Sequence, residues 1–343
     1  MEMNVCLKVF PERPHESRRN LGIDVDDSLN LKEHIGYFFY SARTESRVTA
    51  NYIRTLEETY KNSTDITLNV IEAGTTAEGR HLTYIKLTNQ TPTVNKGIII
   101  IEGTHEKRIF LLPMRSLFRK IHFPFPSFST KKRVGRERVL TCFDVRNLML
   151  DLKLFHFQLR LWMKSRSTRS NLGAICPGVN INRNFNIDWL NSDSSSSPCS
   201  HLYGGTGAFS EVESRIVQSL FEEYGNRIRA YISLQNNGGF ISYPWQYERA
   251  ASGLFAQHHI LGMKMIAAME DSYELDIASV AYGDRASGTS TDYMRSRGVL
   301  YTFNIDVVPR GQDGVIVPRE EIQTIADDVW RAVSVVAENL IQL

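Results

Sequence analysis

The run Gly178–Phe185, with the sequence GVNINRNF, is the stretch that decides the fold. Asn182 and Arg183 stand side by side at its centre. A guanidinium group can hold a carboxylate through two parallel hydrogen bonds, and a neighbouring amide adds a further donor. An Asn-Arg-Asn sequence alone is more often a loop with a solvated charge, so the residues around this run decide its meaning.

Two cysteines flank the run. Cys176 and Cys199 are 23 positions apart, and the segment between them is rich in loop-forming residues, including the serine-rich Ser192–Pro198. The pair can close this segment, whereas Cys6 and Cys142 have no obvious partner. Four cysteines in 343 residues do not make a disulfide scaffold.

Working outward, strand-like runs alternate with helical patterns. The last helix is expected to start at Pro318, and a capping box at Ser210–Glu213 is expected to open a helix that runs through Tyr224. This alternation predicts an α/β fold with a mixed, mainly parallel sheet and helices on both faces. The other expected helices are Arg47–Lys61 and Arg249–Ser272, and the expected strands are Ile66–Ala73, Leu82–Leu87, Gly97–Glu102, Tyr231–Leu234 and Leu300–Val307.

The composition is that of a globular chain, 42% hydrophobic and 23% charged, with a net charge of +2. No apolar run reaches the roughly 18 residues of a membrane helix, so we expect no membrane partner. The first ten residues do not form a signal peptide. The glycosylation sequons at Asn62 and Asn89 nevertheless favour a secreted glycoprotein.

One segment has an unusual charge. Residues 107–169 hold 16 Lys and Arg against 3 Asp and Glu. A solvated basic face and a polyanion-binding patch are two interpretations. We favour a third, in which residues of about 107–158 are not the sequence with which the fold evolved, through a gene-model error or a splice variant. No nucleic-acid partner is then expected.

Gly178–Phe185 with its cysteines resembles the zinc carboxypeptidases of the A/B type, which carry Gly-Val-Asp-x-Asn-Arg-Asn-Phe between two bonded cysteines. The resemblance covers about Val48–Glu106 and Arg160–Leu343, and it implies one domain over residues 41–343. Residues 1–40 mix charged and apolar residues without a clear period, so we expect them to form an extension. The resemblance also implies a Cys176–Cys199 disulfide and a grip on peptide C-termini by Asn182 and Arg183. Further matching segments are Leu161–Ser167, Glu211–Glu213, Ser242–Trp245, Ala286–Ser290 and Gly314–Pro318.

The resemblance places the zinc site on positions where this chain differs from the family. His105 matches the first ligand, but Arg108 stands where a glutamate is expected and Gln235 where the last histidine is expected. An arginine beside a dication is repelled, and a neutral amide is a poor zinc ligand. Zinc is the cofactor that the family implies, and His105 alone cannot hold it as a catalytic ion.

The catalytic positions differ as well. The family's general base corresponds to Asp306 counting back from Gly314, or to Asn304 counting forward from Thr302. The oxyanion-stabilising arginine corresponds to Met163. The family's substrate-covering tyrosine falls on Asp284, with Tyr282 nearby as the substrate-binding candidate, and the pocket-floor position falls on Thr291, or on Asp292 if the count shifts by one.

Two functions from different classes follow. The leading hypothesis is a carboxypeptidase-like protein with impaired or no peptidase activity that retains C-terminal carboxylate binding. The alternative is an active zinc exopeptidase with an unorthodox ligand set. Either would bind peptide or protein C-termini as a monomer.

Overall fold

The computed structural model describes Arg54, Glu57, Glu58 and Lys61, and residues 66–79, 81–89, 96–102, 138–144, 163–236, 238–307 and 322–342. Within these ranges a single sheet of eight strands runs in the order β1-β2-β4-β3-β5-β8-β6-β7. The strands are β1 (Ile66–Thr75), β2 (His81–Asn89), β3 (Lys96–Glu102), β4 (Arg138–Asp144), β5 (Ile228–Asn236), β6 (Phe240–Tyr243), β7 (Glu274–Ile277) and β8 (Tyr301–Val307).

The four central strands, β4, β3, β5 and β8, are all parallel. The antiparallel strands β1 and β2 extend one side of this unit, and on the other side β6 runs antiparallel to β8 and parallel to β7. Parallel strands present their carboxyl ends at one edge of a sheet, where α/β folds place their sites. The mixed, mainly parallel sheet of the sequence prediction is confirmed.

The helices of the described ranges cover the sheet. Helix α2 (Phe255–Ala268) packs against α5 (Ile322–Gln342) and also contacts β6 and β7, whereas the short α4 (Ser290–Ser296) contacts β5 and β8. Because β8 is covered, all seven of its residues are buried, and residues 230–235 of β5 are buried as well. The core includes Tyr231, Phe303 and Ile305. Among the helices of these ranges, none combines the length and the hydropathy that a membrane span requires. The helices are α1 (Val212–Tyr224), α2 (Phe255–Ala268), α3 (Ala278–Ala281), α4 (Ser290–Ser296) and α5 (Ile322–Gln342).

Two of the local predictions are wrong. The capping box does not form, because Glu211 is the N-cap residue of α1 and the Ser210 hydroxyl donates to the Glu211 carboxylate instead of accepting a backbone N–H of the helix. Helix α2 begins at Phe255 and not at Arg249, because the preceding segment turns back and the Trp245 N–H bonds the Ala250 carbonyl.

Other predictions differ in extent. The strands β4, β6 and β7 were not predicted, and β4 lies inside the basic segment, between β2 and β3 of the sheet. Most of the predicted first helix, Pro318, the extension at 1–40 and the rest of residues 107–158 lie outside the described residues.

Candidate functional site

The loop that carries Asn182 and Arg183 is held by buried asparagines. Residues Ile181–Arg183 form one 3₁₀ turn, and Asn180 caps it by accepting a hydrogen bond from the Asn182 N–H at 3.1 Å. The Asn184 amide donates to the Gly204 carbonyl at 2.8 Å, and its oxygen accepts from the Ser214 hydroxyl at 2.6 Å. A buried amide with such partners is rigid, because each lost bond leaves an unsatisfied group.

A disulfide joins Cys176 to Cys199 and closes the segment that contains this loop. Beside it, the Lys164 ammonium donates to the Pro198 carbonyl and lies 5.6 Å from the centre of the Tyr203 ring. Burial lowers the pKa of Lys164 to about 8. The covalent link and this contact tie the loop to the segment at residues 198–203.

Arg183 lies almost wholly inside the protein, with 11% of its side chain exposed. Its Nε donates to the backbone carbonyl of Asp193 at 2.8 Å, its Nη2 contacts the Asp193 carboxylate at 3.0 Å, and its Nη1 donates to the Asn182 carbonyl at 3.0 Å. Burial lowers the pKa of this guanidinium, and electrostatic interactions with Asp193, Tyr282 and Asp284 oppose the shift.

Asn182 is fixed by the segment that opens helix α4. Its side-chain oxygen accepts from the Ser290 N–H at 3.0 Å. Just before this residue, Gly288 adopts a φ of +72° and packs on Arg183, where an added Cβ would come within 2.4 Å of the Arg183 carbonyl oxygen. The close approach therefore requires glycine at position 288. The Asn182 amide nitrogen makes no hydrogen bond with the residues that the structure describes.

Asp306 lies near the carboxyl end of β8 and is 1% exposed. The Tyr282 hydroxyl donates to its Oδ2. The Tyr282 ring also makes an edge contact with Phe240 at 4.8 Å between ring centres. Since Tyr282 interacts electrostatically with Arg183, three of the predicted site residues are neighbours. Asn304, the other candidate for the base, donates instead to the Ser242 hydroxyl at 3.3 Å.

Gln235 lies directly opposite Asp306 in the parallel pairing of β5 with β8. It is 2% exposed, and its amide nitrogen donates to the Ser233 hydroxyl at 2.7 Å. Zinc prefers imidazole, thiolate and carboxylate donors, so a neutral amide engaged in this way does not fit a zinc site. His105 and Arg108 lie outside the described residues.

The other predicted positions have different surroundings. Met163 is half-buried, and Thr291 is 1% exposed in α4. Asp292 is fully buried, and one of its oxygens accepts from the backbone N–H groups of Gln246 and Tyr247, at 2.8 and 3.0 Å. Burial raises the pKa of Asp292 to about 7, although these two hydrogen bonds lower it. Asp292 therefore holds a turn in place.

The sequence prediction missed Asp193 as a member of the site. Its one signal is that it is an acidic residue within the serine-rich loop, ten positions after Arg183. An irregular loop that brings together residues ten positions apart has no periodic sequence pattern, so this contact is seen only in the folded structure.

Comparisons with known proteins agree with this architecture. The family model described as zinc carboxypeptidase matches residues 149–332. Carboxypeptidase B of Helicoverpa zea is 30% identical over 311 residues, which are 86% of this chain and 70% of that protein. Carboxypeptidase A1 of Bos taurus is 26% identical over 358 residues, or 97% of this chain and 81% of that protein.

A solved structure shows the same fold. Bovine thrombin-activatable fibrinolysis inhibitor, in complex with tick carboxypeptidase inhibitor, superposes with a TM-score of 0.70 at 22% identity, over 85% of this chain and 95% of that one. With the family model matching more than half of the sequence and an insect carboxypeptidase B matching most of it, this chain belongs to the zinc carboxypeptidase family.

Proposed function

We propose that this chain binds the C-terminal carboxylate of peptides or proteins through Asn182 and Arg183, with impaired or no peptidase activity. The observation that carries the proposal is the buried Arg183 guanidinium beside the Asn182 side chain, which the Ser290 N–H holds in place. Arginine suits this role because its planar fork matches a carboxylate. On β5, opposite Asp306, the position that resembles the family's last zinc ligand is Gln235, which supports a weakened metal site.

The test is calorimetric binding of one short peptide in two forms, with a free and with an amidated C-terminus. We expect a dissociation constant on the order of micromolar for the free form, about −8 kcal/mol, and much weaker binding of the amide. Arg183→Gln should abolish the difference between the two forms. Arg229→Gln is the matched control, because Arg229 is an exposed arginine on β5. Equal binding of both forms by the unmodified chain would contradict the proposal.

The second candidate function is an active zinc exopeptidase that removes C-terminal residues. The observation in its favour is a retained carboxylate at Asp306, held by Tyr282 close to Arg183. A carboxylate in this place can act as a general base if it reaches the attacking water. Turnover of the free-acid peptide, abolished in Asp306→Asn, would establish this function and displace the first.

We also propose that the protein is a secreted, N-glycosylated monomer. The Cys176–Cys199 disulfide supports an oxidising compartment, and the sequons at Asn62 and Asn89 support glycosylation. Immunodetection of the native protein in cells and in their medium tests secretion, glycosidase treatment tests glycosylation, and analytical ultracentrifugation tests the monomer. Protein retained inside the cells without a glycosidase-dependent mobility shift would contradict the first two.

A further inference from the structure

The guanidinium of Arg183 already has an anionic partner within the chain. An arginine side chain has five N–H donors, and three of those of Arg183 are engaged. Asp193 accepts two of the three, one through its backbone carbonyl and one through its carboxylate. The Nε edge of the fork is therefore occupied by one residue, and the positive charge is balanced before any ligand arrives.

The two partners differ in their freedom to separate. The Arg183 side chain is 11% exposed, whereas that of Asp193 is 30% exposed. Asp193 also has a φ of +37°, in the left-handed region that aspartate tolerates better than most residues but at a cost. The Asp193 carboxylate can thus turn toward solvent, while the buried guanidinium stays in place.

We propose that Asp193 is a built-in competitor for the C-terminal carboxylate and sets how strongly the site distinguishes an acid from an amide. This inference rests on the proposed function of Asn182 and Arg183. An incoming carboxylate must either displace the Asp193 side chain or bind next to a like charge, and both weaken its binding. A C-terminal amide carries no charge and meets no such repulsion. Asp193 therefore reduces the difference in affinity between the free-acid and the amidated peptide.

The test compares Asp193→Asn with the unmodified chain, using the same short peptide in its free-acid and amidated forms. Asparagine is the appropriate replacement because it has nearly the same shape and also tolerates a positive φ. We expect the free acid to bind about tenfold tighter or more, the size of one charge-assisted hydrogen bond, and the amide to bind as before. The acid-to-amide ratio is the decisive readout, because general loosening of the loop would affect both ligands.

Two further variants serve as controls. Asp188→Asn removes another aspartate of the same loop that also has a positive φ, +47°, but bonds the Asn191 amide at 2.9 Å, and it should change neither affinity. Asp193→Gly also removes the carboxylate and adopts a positive φ freely, so it replaces the asparagine variant if that one does not fold.

The outcomes separate this inference from the proposed function. A higher acid-to-amide ratio in the Asp193 variants supports the inference, and it does so even if the unmodified chain shows no binding. If the unmodified chain binds the acid and the folded Asp193 variants bind it equally or more weakly, the inference is overturned and carboxylate binding stands. If no version binds the acid, both are overturned.

Discussion

The Tyr282 hydroxyl donates a hydrogen bond to the Asp306 carboxylate. This contact joins the C-terminal end of α3 to β8, between residues that are 24 positions apart in the chain. Asp306 is 1% exposed. A buried carboxylate is stable only when its oxygens are hydrogen-bonded or paired, so this hydroxyl is part of what holds Asp306 inside the protein. Any function of Asp306 as a base therefore depends on Tyr282.

The first prediction is that Tyr282→Phe lowers the free energy of unfolding by about 1–3 kcal/mol, the cost of a lost hydrogen bond to a charged group. Urea unfolding followed by circular dichroism measures the change. Tyr293→Phe is the control, because the Tyr293 hydroxyl makes no hydrogen bond with the described residues. Tyr293 is buried, whereas Tyr282 is half-buried. Equal stability of the two variants would show that the hydroxyl contributes nothing to holding Asp306.

The second prediction concerns His258, a histidine of α2 buried against the sheet. Its Nδ1–H donates to the Leu254 carbonyl at 2.9 Å, and its Nε2 accepts from the Thr302 N–H at 3.2 Å. Because Nε2 faces a backbone donor, the ring cannot take a second proton without breaking that bond. Burial lowers the pKa of His258 to about 4, although the bond to Leu254 raises it.

The unfolded chain therefore binds this proton more readily than the folded one. Since an ordinary histidine has a pKa near 6.5, the contribution of His258 to stability is complete above about pH 6.5 and is lost as the pH falls toward 4. The loss amounts to about 3 kcal/mol. In His258→Gln this pH dependence should vanish, whereas His201→Gln, on the exposed surface, should retain it. Urea titrations at several pH values measure how the free energy of unfolding of each variant changes with pH.

The third prediction is that Asp292 has the opposite effect. Its pKa is raised to about 7, so the folded chain holds this proton where the unfolded chain has released it. Its contribution to stability is complete below about pH 4 and is lost as the pH rises through 7, by about 4 kcal/mol.

Asp292→Asn should therefore be more stable than the unmodified chain at pH 8, because an amide oxygen can still accept from Gln246 and Tyr247. Asp276→Asn is the control, since this half-buried side chain accepts one backbone N–H, that of Ile277. Between pH 4 and 6.5 the slopes due to His258 and Asp292 oppose each other. In this range the free energy of unfolding of Asp292→Asn should rise with pH, because His258 remains. That of His258→Gln should fall with pH, because Asp292 remains. Both changes should be steeper than in the unmodified chain.

The sequence predicted three of the four central strands, β3, β5 and β8, because they are apolar and β-branched runs. Gly97–Glu102 and Leu300–Val307 each differ from the observed strand by one residue at one end. The strands β6 and β7 escaped prediction because four residues are too few to show a period. The strand β4 escaped because its basic surroundings concealed it.

The residues of the site also divide into those that the sequence indicated and those that it did not. Asn182, Arg183, Tyr282 and Asp306 were predicted through resemblance, and their positions relative to one another depend on how the loops fold against the sheet. The pairing of Arg183 with Asp193 had no periodic sequence signal, because a hydrogen bond between two positions of an irregular loop leaves no repeating pattern. The false capping box at Ser210 arose because a local motif was read without the buried Asn184 amide, which donates to the same hydroxyl at 3.0 Å.

The fourth prediction is that the Cys176–Cys199 disulfide stabilises both the fold and the site. Closing a loop of this length restricts the unfolded chain, and the double variant Cys176→Ser/Cys199→Ser should lose about 3 kcal/mol. Its affinity for a free-acid peptide should fall too, because Arg183 lies within the closed segment. Cys6→Ser, which leaves the bridge intact, is the control. Unchanged affinity in a destabilised double variant would show that the bridge supports the fold without positioning the guanidinium.

The fifth prediction concerns zinc. If Arg108 and Gln235 are what weaken the metal site, the double variant Arg108→Glu/Gln235→His should bind about one zinc per chain, since with His105 it would present the three protein ligands of a catalytic zinc site. Elemental analysis after gel filtration measures the zinc content, and we expect much less than one zinc per chain in the unmodified protein. Gln235→His alone is the matched control, because it leaves the positive charge of Arg108 in place and should gain little metal. A full equivalent of zinc in the unmodified chain would contradict the ligand assignment and favour the exopeptidase. Zinc absent from the double variant would place the obstacle elsewhere in the basic segment.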